Sequence, residues 1–248
     1  MHRGVALVFL AMVALFCGQY SAWALAQTAV PCGPFTYDRI AAPEPREAAP
    51  AVARFDRIKY AVGTEPYRAL FLGDSLTERF DPQVWQQHVA PRGVLNAGIN
   101  GDRTEHLLWR LKHGNLAGPP PAAVIMLIGT NDLGHGRPPE QAAEGIRANL
   151  LYLREQLPNA RILLLGLLPR SASPDAGLRR KVAAVNELIQ SCGDNRMIVY
   201  AEIGGLLLDA QGRLTPAIAP DQLHFSRQGY ELLAPRLDVL VDTVLPRR

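Results

Sequence analysis

Val124-Ile125-Met126-Leu127-Ile128 is apolar at every position and stops at Gly129. A strand with one wet face alternates apolar and polar residues. An unbroken apolar run instead suits a strand buried on both faces, as in a parallel sheet covered by helices. Four more short runs, at 69–72, 94–96, 161–168 and 197–200, are mainly apolar. The segments between them carry apolar residues every three or four positions. The clearest is 139–157, where Ala142, Ile146, Leu150, Leu153 and Leu157 share a face and Pro139 suits the first turn. Further helices are predicted over 51–61 (Val52, Phe55 and Ile58 inward), 80–88, 104–113 with Gly114 as its stop, and 178–192. A closing helix begins after Ser226, with Leu232, Leu233, Leu237, Leu240, Val241 and Val244 on its apolar face and Pro235 kinking it. Strands alternating with helices in this way specify one α/β domain, a parallel sheet with helices on both faces.

The 248 residues are 48% hydrophobic and 20% charged, which supports a buried core. The formal net charge is +3, and its basic residues are scattered, so no nucleic-acid partner is expected. Residues 1–26 read as a signal peptide. Arg3 supplies the positive start, 5–16 the apolar stretch, and Ala24-Leu25-Ala26 the small residues before the cut. The apolar stretch is too short for a comfortable membrane span, and nothing later could anchor the chain. The expectation is export, periplasmic or secreted, after cleavage near Ala26. Residues 27–50, rich in Ala, Pro and Glu, read as an extended N-terminal arm, and 51–248 as the domain. Cleavage would leave Cys32 and Cys192. They could form a disulfide, or Cys192 could be a buried thiol on a helix face.

Polar clusters fall just past the strands: Asp74-Ser75, Asn100-Gly101-Asp102 and Asn131-Asp132, with Asp221 and His224 beyond the last. Strand ends of a parallel sheet share one edge, so these segments converge there. Gly73-Asp74-Ser75 alone is also ordinary turn and N-cap chemistry. A reactive serine needs a base, and an imidazole backed by a carboxylate is one. The spacing of Asp221 and His224 places them one helical turn apart, with Asp221 holding the ring while its other nitrogen takes the Ser75 proton. Acyl transfer also needs donors for the developing oxyanion; the candidates are the Ser75 N–H, the Gly101 N–H and the Asn131 side-chain amide. Asp132 reads as a structural hydrogen-bonding residue. His88, His106 and His113 read as surface residues, His135 as a lining of the substrate entrance, and Trp85 and Trp109 as core. No metal-ligand spacing and no dinucleotide fingerprint is present, so neither metal nor cofactor is expected.

Gly73-Asp74-Ser75-Leu76, Gly101, Gly129-Thr130-Asn131-Asp132 and Asp221-x-x-His224 resemble the four blocks of the SGNH hydrolases, the GDSL esterase/lipase family. Residues 95–104 and Leu108-Trp109-Arg110-Leu111 look like the catalytic subunits of platelet-activating-factor acetylhydrolase. The resemblance implies a three-layer α/β/α flavodoxin-like fold with a five-stranded parallel sheet. It implies Ser75 as nucleophile, His224 as base, Asp221 as its orienter, and an oxyanion hole from Ser75, Gly101 and Asn131. It also raises a homodimer as one assembly. Arg103 departs from the small polar residue usual in those acetylhydrolases and would narrow or charge the pocket rim. The reading is an exported serine esterase acting on short acyl groups, acetyl above all, of small-molecule or carbohydrate esters. Two alternatives stand beside it: a lysophospholipase or thioesterase using the same residues, and a non-catalytic envelope carbohydrate-binding module.

Overall fold

The structure, a computed structural model, describes residues 30–34 and 42–245. The expected signal peptide and parts of the arm lie outside them. Helix α1 (Ala49–Thr64) leads into strand β1 (Ala69–Gly73), the short helix α2 (Ser75–Glu78) and α3 (Pro82–His88). Strand β2 (Val94–Gly98), helix α4 (Thr104–Arg110), β3 (Ala123–Leu127) and α5 (Thr130–Gly134) follow. The chain continues through α6 (Pro139–Gln156), β4 (Arg161–Leu165), α7 (Gly177–Ile189), β5 (Ile198–Ala201) and α8 (Arg227–Val244).

The five strands form one parallel sheet in the order β2-β1-β3-β4-β5. Helices α4, α6 and α7 pack together on one face, while α3 and α8 pack together on the other. The expected α/β/α architecture is present. Strands β1 and β3 are buried at all five positions, as their unbroken apolar sequence requires. Each such Leu, Ile or Phe side chain contributes about 1.5–3 kcal/mol by leaving water, so this pair anchors the sheet.

The register positions the site. Gly73 stands opposite Gly98 on one side and Leu127 on the other, so β1, β2 and β3 finish level. The strand order reverses between β1 and β3, which opens a crevice at their carboxyl ends. The chain must turn sharply there. A Cβ on Gly73 would stand 2.2 Å from Thr77 Oγ1 and 2.6 Å from the Leu127 carbonyl oxygen, so only glycine fits.

Several expectations shift. Strand β4 ends at Leu165, and Leu167 and Leu168 are buried within the loop that follows it. Their apolar character reports burial, not pairing. Helix α4 ends at Arg110 and passes into a wide turn over Leu111–Asn115, because His113 and Gly114 leave helical geometry. Val52, at 42% exposure, and Leu232 face solvent, not the core. Trp85 and Trp109 are half-buried at its margin. Ser226 caps α8 as expected, its Oγ accepting from the Gly229 N–H at 3.3 Å.

Cys32 and Cys192 are joined, with Cα atoms 4.4 Å apart. The choice between disulfide and buried thiol falls to the disulfide. Arg147 Nε also donates to the Cys32 carbonyl at 2.8 Å, so the arm is tied to α6 as well. Replacing Cys192 with serine should lower unfolding stability by about 2–4 kcal/mol in urea. The native protein treated with reductant should approach the same midpoint. Equal midpoints for native protein and variant would contradict a stabilising cross-link.

Candidate active site

Ser75 opens α2 at the end of β1 and is 2% exposed. The N-cap role belongs to its neighbour: Asp74 Oδ1 accepts from the Leu76 N–H at 2.9 Å. That leaves the Ser75 hydroxyl for another partner. His224 Nε2 lies 2.9 Å from Ser75 Oγ, and His224 Nδ1 lies 2.7 Å from Asp221 Oδ2. With the ring proton on Nδ1, the imidazole donates to Asp221, and Nε2 accepts the serine proton. The three residues singled out in the sequence form one hydrogen-bonded line.

Asp221 and His224 do not share a helical turn, as their spacing had suggested. Gln222 between them has a φ of 64°, and the segment is a tight turn. Asp221 makes it, with Oδ1 accepting from the Leu223 N–H at 3.0 Å and the His224 N–H at 2.7 Å. One carboxylate therefore fixes both the backbone and the ring of His224. Burial works to raise the Asp221 pKa, but the hydrogen bonds from the His224 ring and N–H and the Leu223 N–H prevail and hold it at about 2. It stays ionised at any ordinary working pH. The turn is tied to the loop after β4, where the Gln222 carbonyl accepts from the Ser171 N–H at 2.8 Å. Buried Arg179 secures that loop by donating to the carbonyls of Arg170, Ser171 and Gly212.

The candidate oxyanion donors come from three strand ends. Among the described residues, the Ser75 and Gly101 N–H groups make no hydrogen bond. Gly101 adopts a φ of 79°, a left-handed conformation that favours glycine. Asn131 Nδ2 donates to the Asp102 carbonyl at 2.9 Å, which leaves its second hydrogen for a ligand. Asp132 takes the structural part expected of it, accepting from Thr104 Oγ1 at 2.8 Å, the Thr104 N–H at 3.1 Å and Arg137 Nη1 at 2.8 Å.

His106 is not a surface residue. It is 5% exposed, and its Nδ1 accepts from the Arg103 N–H at 3.0 Å. Burial pushes its imidazole well below the usual range, against the pull of Glu105, so the ring is neutral. Arg103 reaches Glu105 and Glu44, and with Arg46 and His135 it lines a cleft of about 490 Å³ that borders Gly101. His135 thus lies in the same cleft as Gly101, and the Arg103 charge there is paired with Glu44 and Glu105. Glu44, Glu105 and His106 bring ligand atoms within 4.8 Å of one another. Burial would raise Glu105, yet the hydrogen bonds from Arg137 and Arg103 hold it at about 2, and both glutamates of the group are ion-paired with arginine. Arg179 and Arg46 carry no motif that sequence spacing could have revealed, because Arg179 meets backbone carbonyls and Arg46 meets the Asn100 carbonyl and, at 3.9 Å, Asp102.

The GDSL-like lipase/acylhydrolase family model matches residues 71–232. Platelet-activating factor acetylhydrolase IB subunit alpha1 of Bos taurus is 36% identical over 163 residues, 65% of this chain and 69% of that protein. A candidate platelet activating factor of Streptococcus pneumonia superposes with a TM-score of 0.67 at 26% identity, covering 77% of this chain and 92% of that one. A catalytic mutant of Axe2, an acetylxylan esterase from Geobacillus stearothermophilus, shares the fold with a TM-score of 0.58 at 19% identity, covering 75% and 98%. This chain belongs to the GDSL-like lipase/acylhydrolase family. It is a carboxylic ester hydrolase.

Asp74 carries a testable electrostatic signature. Burial lifts its carboxyl from an ordinary 3.8 to about 7; the Leu76 N–H opposes the rise, and Asp102 and Asp132 add to it. Its Oδ2 has no partner among the described residues. A carboxyl raised on folding binds its proton more tightly in the folded state, so its contribution is full below 3.8 and is lost as pH rises through about 7. Asp74→Asn keeps the acceptor for Leu76 and removes the charge. Its melting temperature should match the native protein near about pH 4 and exceed it near about pH 9. Parallel curves across that range would contradict the assignment.

Proposed function

We propose that the chain is an exported serine esterase that removes short acyl groups, acetyl above all, through an acyl-enzyme intermediate. The observation that carries this reading is the continuous line from Ser75 Oγ to His224 Nε2 at 2.9 Å and from His224 Nδ1 to Asp221 Oδ2 at 2.7 Å. Ser75 Oγ attacks the ester carbonyl as Nε2 takes its proton. The oxyanion so formed receives the Ser75 and Gly101 N–H groups and the Asn131 amide. His224 returns the proton to the leaving alcohol, and the bond between that alcohol and the acyl carbon breaks. Water then repeats the cycle on the acyl-serine and frees the acid.

Two observations support the finer reading. The side chains of His224 and Asp221 are 28% and 57% exposed, so the line opens directly on the surface. Such a site admits an acyl group on a bulky alcohol, and O-acetyl groups of carbohydrate or cell wall fit that description. The bovine relative is named an acetylhydrolase and Axe2 an acetylxylan esterase, which supports acetyl as the acyl group. Export is supported by the Cys32–Cys192 disulfide, since such bonds persist in oxidising compartments. N-terminal sequencing of protein recovered outside the cytoplasm should begin at Gln27; an intact N-terminus on cytoplasmic protein would contradict export.

The test of the reaction is a panel of 4-nitrophenyl esters of rising chain length beside acetylated xylan. Turnover should be highest for acetate and fall with length, whereas a preference for long chains would favour the lysophospholipase or thioesterase alternative. Ser75→Ala should abolish turnover. Asn131→Ala should lower kcat by about a hundredfold or more with little change in KM. Full activity in Ser75→Ala would refute the mechanism.

A further inference from the structure

Asp102 and Arg110 are both buried, and neither touches the reacting line. Arg110 Nε donates to Asp102 Oδ2 at 2.7 Å, Nη1 to Asn115 Oδ1 at 3.0 Å and Nη2 to the Gly73 carbonyl at 3.0 Å. One guanidinium therefore holds the last residue of β1 and the loop after β2 together. The main chain of Asp102 holds the third segment, because its carbonyl accepts from Asn131 Nδ2 at 2.9 Å. Gly73 lies two residues before Ser75, Asp102 follows Gly101, and Asn131 follows β3. Each segment that supplies an oxyanion donor is thus attached to the Asp102–Arg110 pair.

We infer that this pair is the positioning device of the oxyanion hole, setting the Gly101 N–H and the Asn131 amide relative to Ser75. The inference rests on the esterase reading above. An oxyanion hole works by presenting donors already fixed where charge develops, so small displacements lower turnover without changing ground-state binding. Gly101 itself supplies little of that rigidity, having no side chain to pack, and the Thr104–Asp132 hydrogen bonds tie only the second and third segments, leaving β1 to Arg110. Arg110 suits the task because its planar fork bonds three acceptors in fixed directions. A lysine there would keep a charge beside Asp102 but could not span Asp102, Asn115 and Gly73 at once.

The experiment compares native protein with Arg110→Lys, using 4-nitrophenyl acetate well below the melting temperature. The readouts are kcat, KM and inhibition by ethylboronic acid, which becomes a tetrahedral anion on a reactive serine. Arg110→Lys should lower kcat by about tenfold or more with KM within about twofold, and weaken the boronate by a similar factor. The same substitution in an Asn131→Ala background should cost markedly less, because one of the donors it positions is already gone. A purely structural pair would lower the melting temperature and leave kcat and boronate inhibition unchanged, which would overturn the inference. Should Arg110→Lys not fold, Asn115→Ala removes one of the three acceptors and leaves the ion pair in place. It should lower kcat by about threefold or more, and an unchanged kcat would again overturn the inference. Native protein inactive on every ester would instead overturn the esterase reading itself.

Discussion

The parallel register of β2, β1 and β3 is the constraint on which the site depends. Gly73, Gly98 and Leu127 are aligned across the three strands, so three loops leave the sheet at one level. Hydrogen bonds and buried apolar side chains fix that alignment across the middle of the core. A slip of one residue in β1 would turn its side chains to the opposite face and carry Ser75 away from His224. The line from Ser75 to Asp221 therefore depends on sheet pairing to place Ser75 and on the turn that Asp221 builds to place His224.

Three buried aspartates follow these strand ends, and each is compensated differently. Asp74 receives a single N–H and is pushed up to about 7. Burial raises Asp102 too, but the Arg110 guanidinium opposes it and leaves it at about 6. Asp132 is raised by burial against the pull of Thr104 and Arg137. Polar groups this deep cost stability unless they are paired. Their placement beside the loops fits a role in holding backbone in place, and Asp221, out at the surface, is free to stay charged.

Much of this was legible in the sequence for a physical reason. Strands buried on both faces must be continuously apolar, so β1 and β3 announced themselves, and strand ends on one edge brought Ser75, Gly101, Asn131 and the Asp221–His224 pair together. The same rule misled at Leu167 and Leu168, which are buried within the loop after β4, where the Leu167 backbone bonds the Asn186 side chain and joins no strand. Spacing suggested a helical turn for Asp221 and His224, but Gln222 takes a left-handed conformation and the carboxylate builds a tight turn instead. His106 read as exposed because its partner is a backbone N–H, which leaves no trace in a sequence. Arg110 stood in a motif, yet its task follows from Gly73 and Asp102, which only folding brings near it.

The central claim is that Ser75 carries the acyl group during turnover. Rapid acid quenching of the protein during hydrolysis of 4-nitrophenyl acetate, followed by peptide mass analysis, measures it directly. The expected result is one added acetyl group on the peptide containing Ser75, absent from Ser75→Ala and from His224→Ala. Acetyl on another residue, or steady turnover with Ser75 unmodified and replaceable, would contradict it.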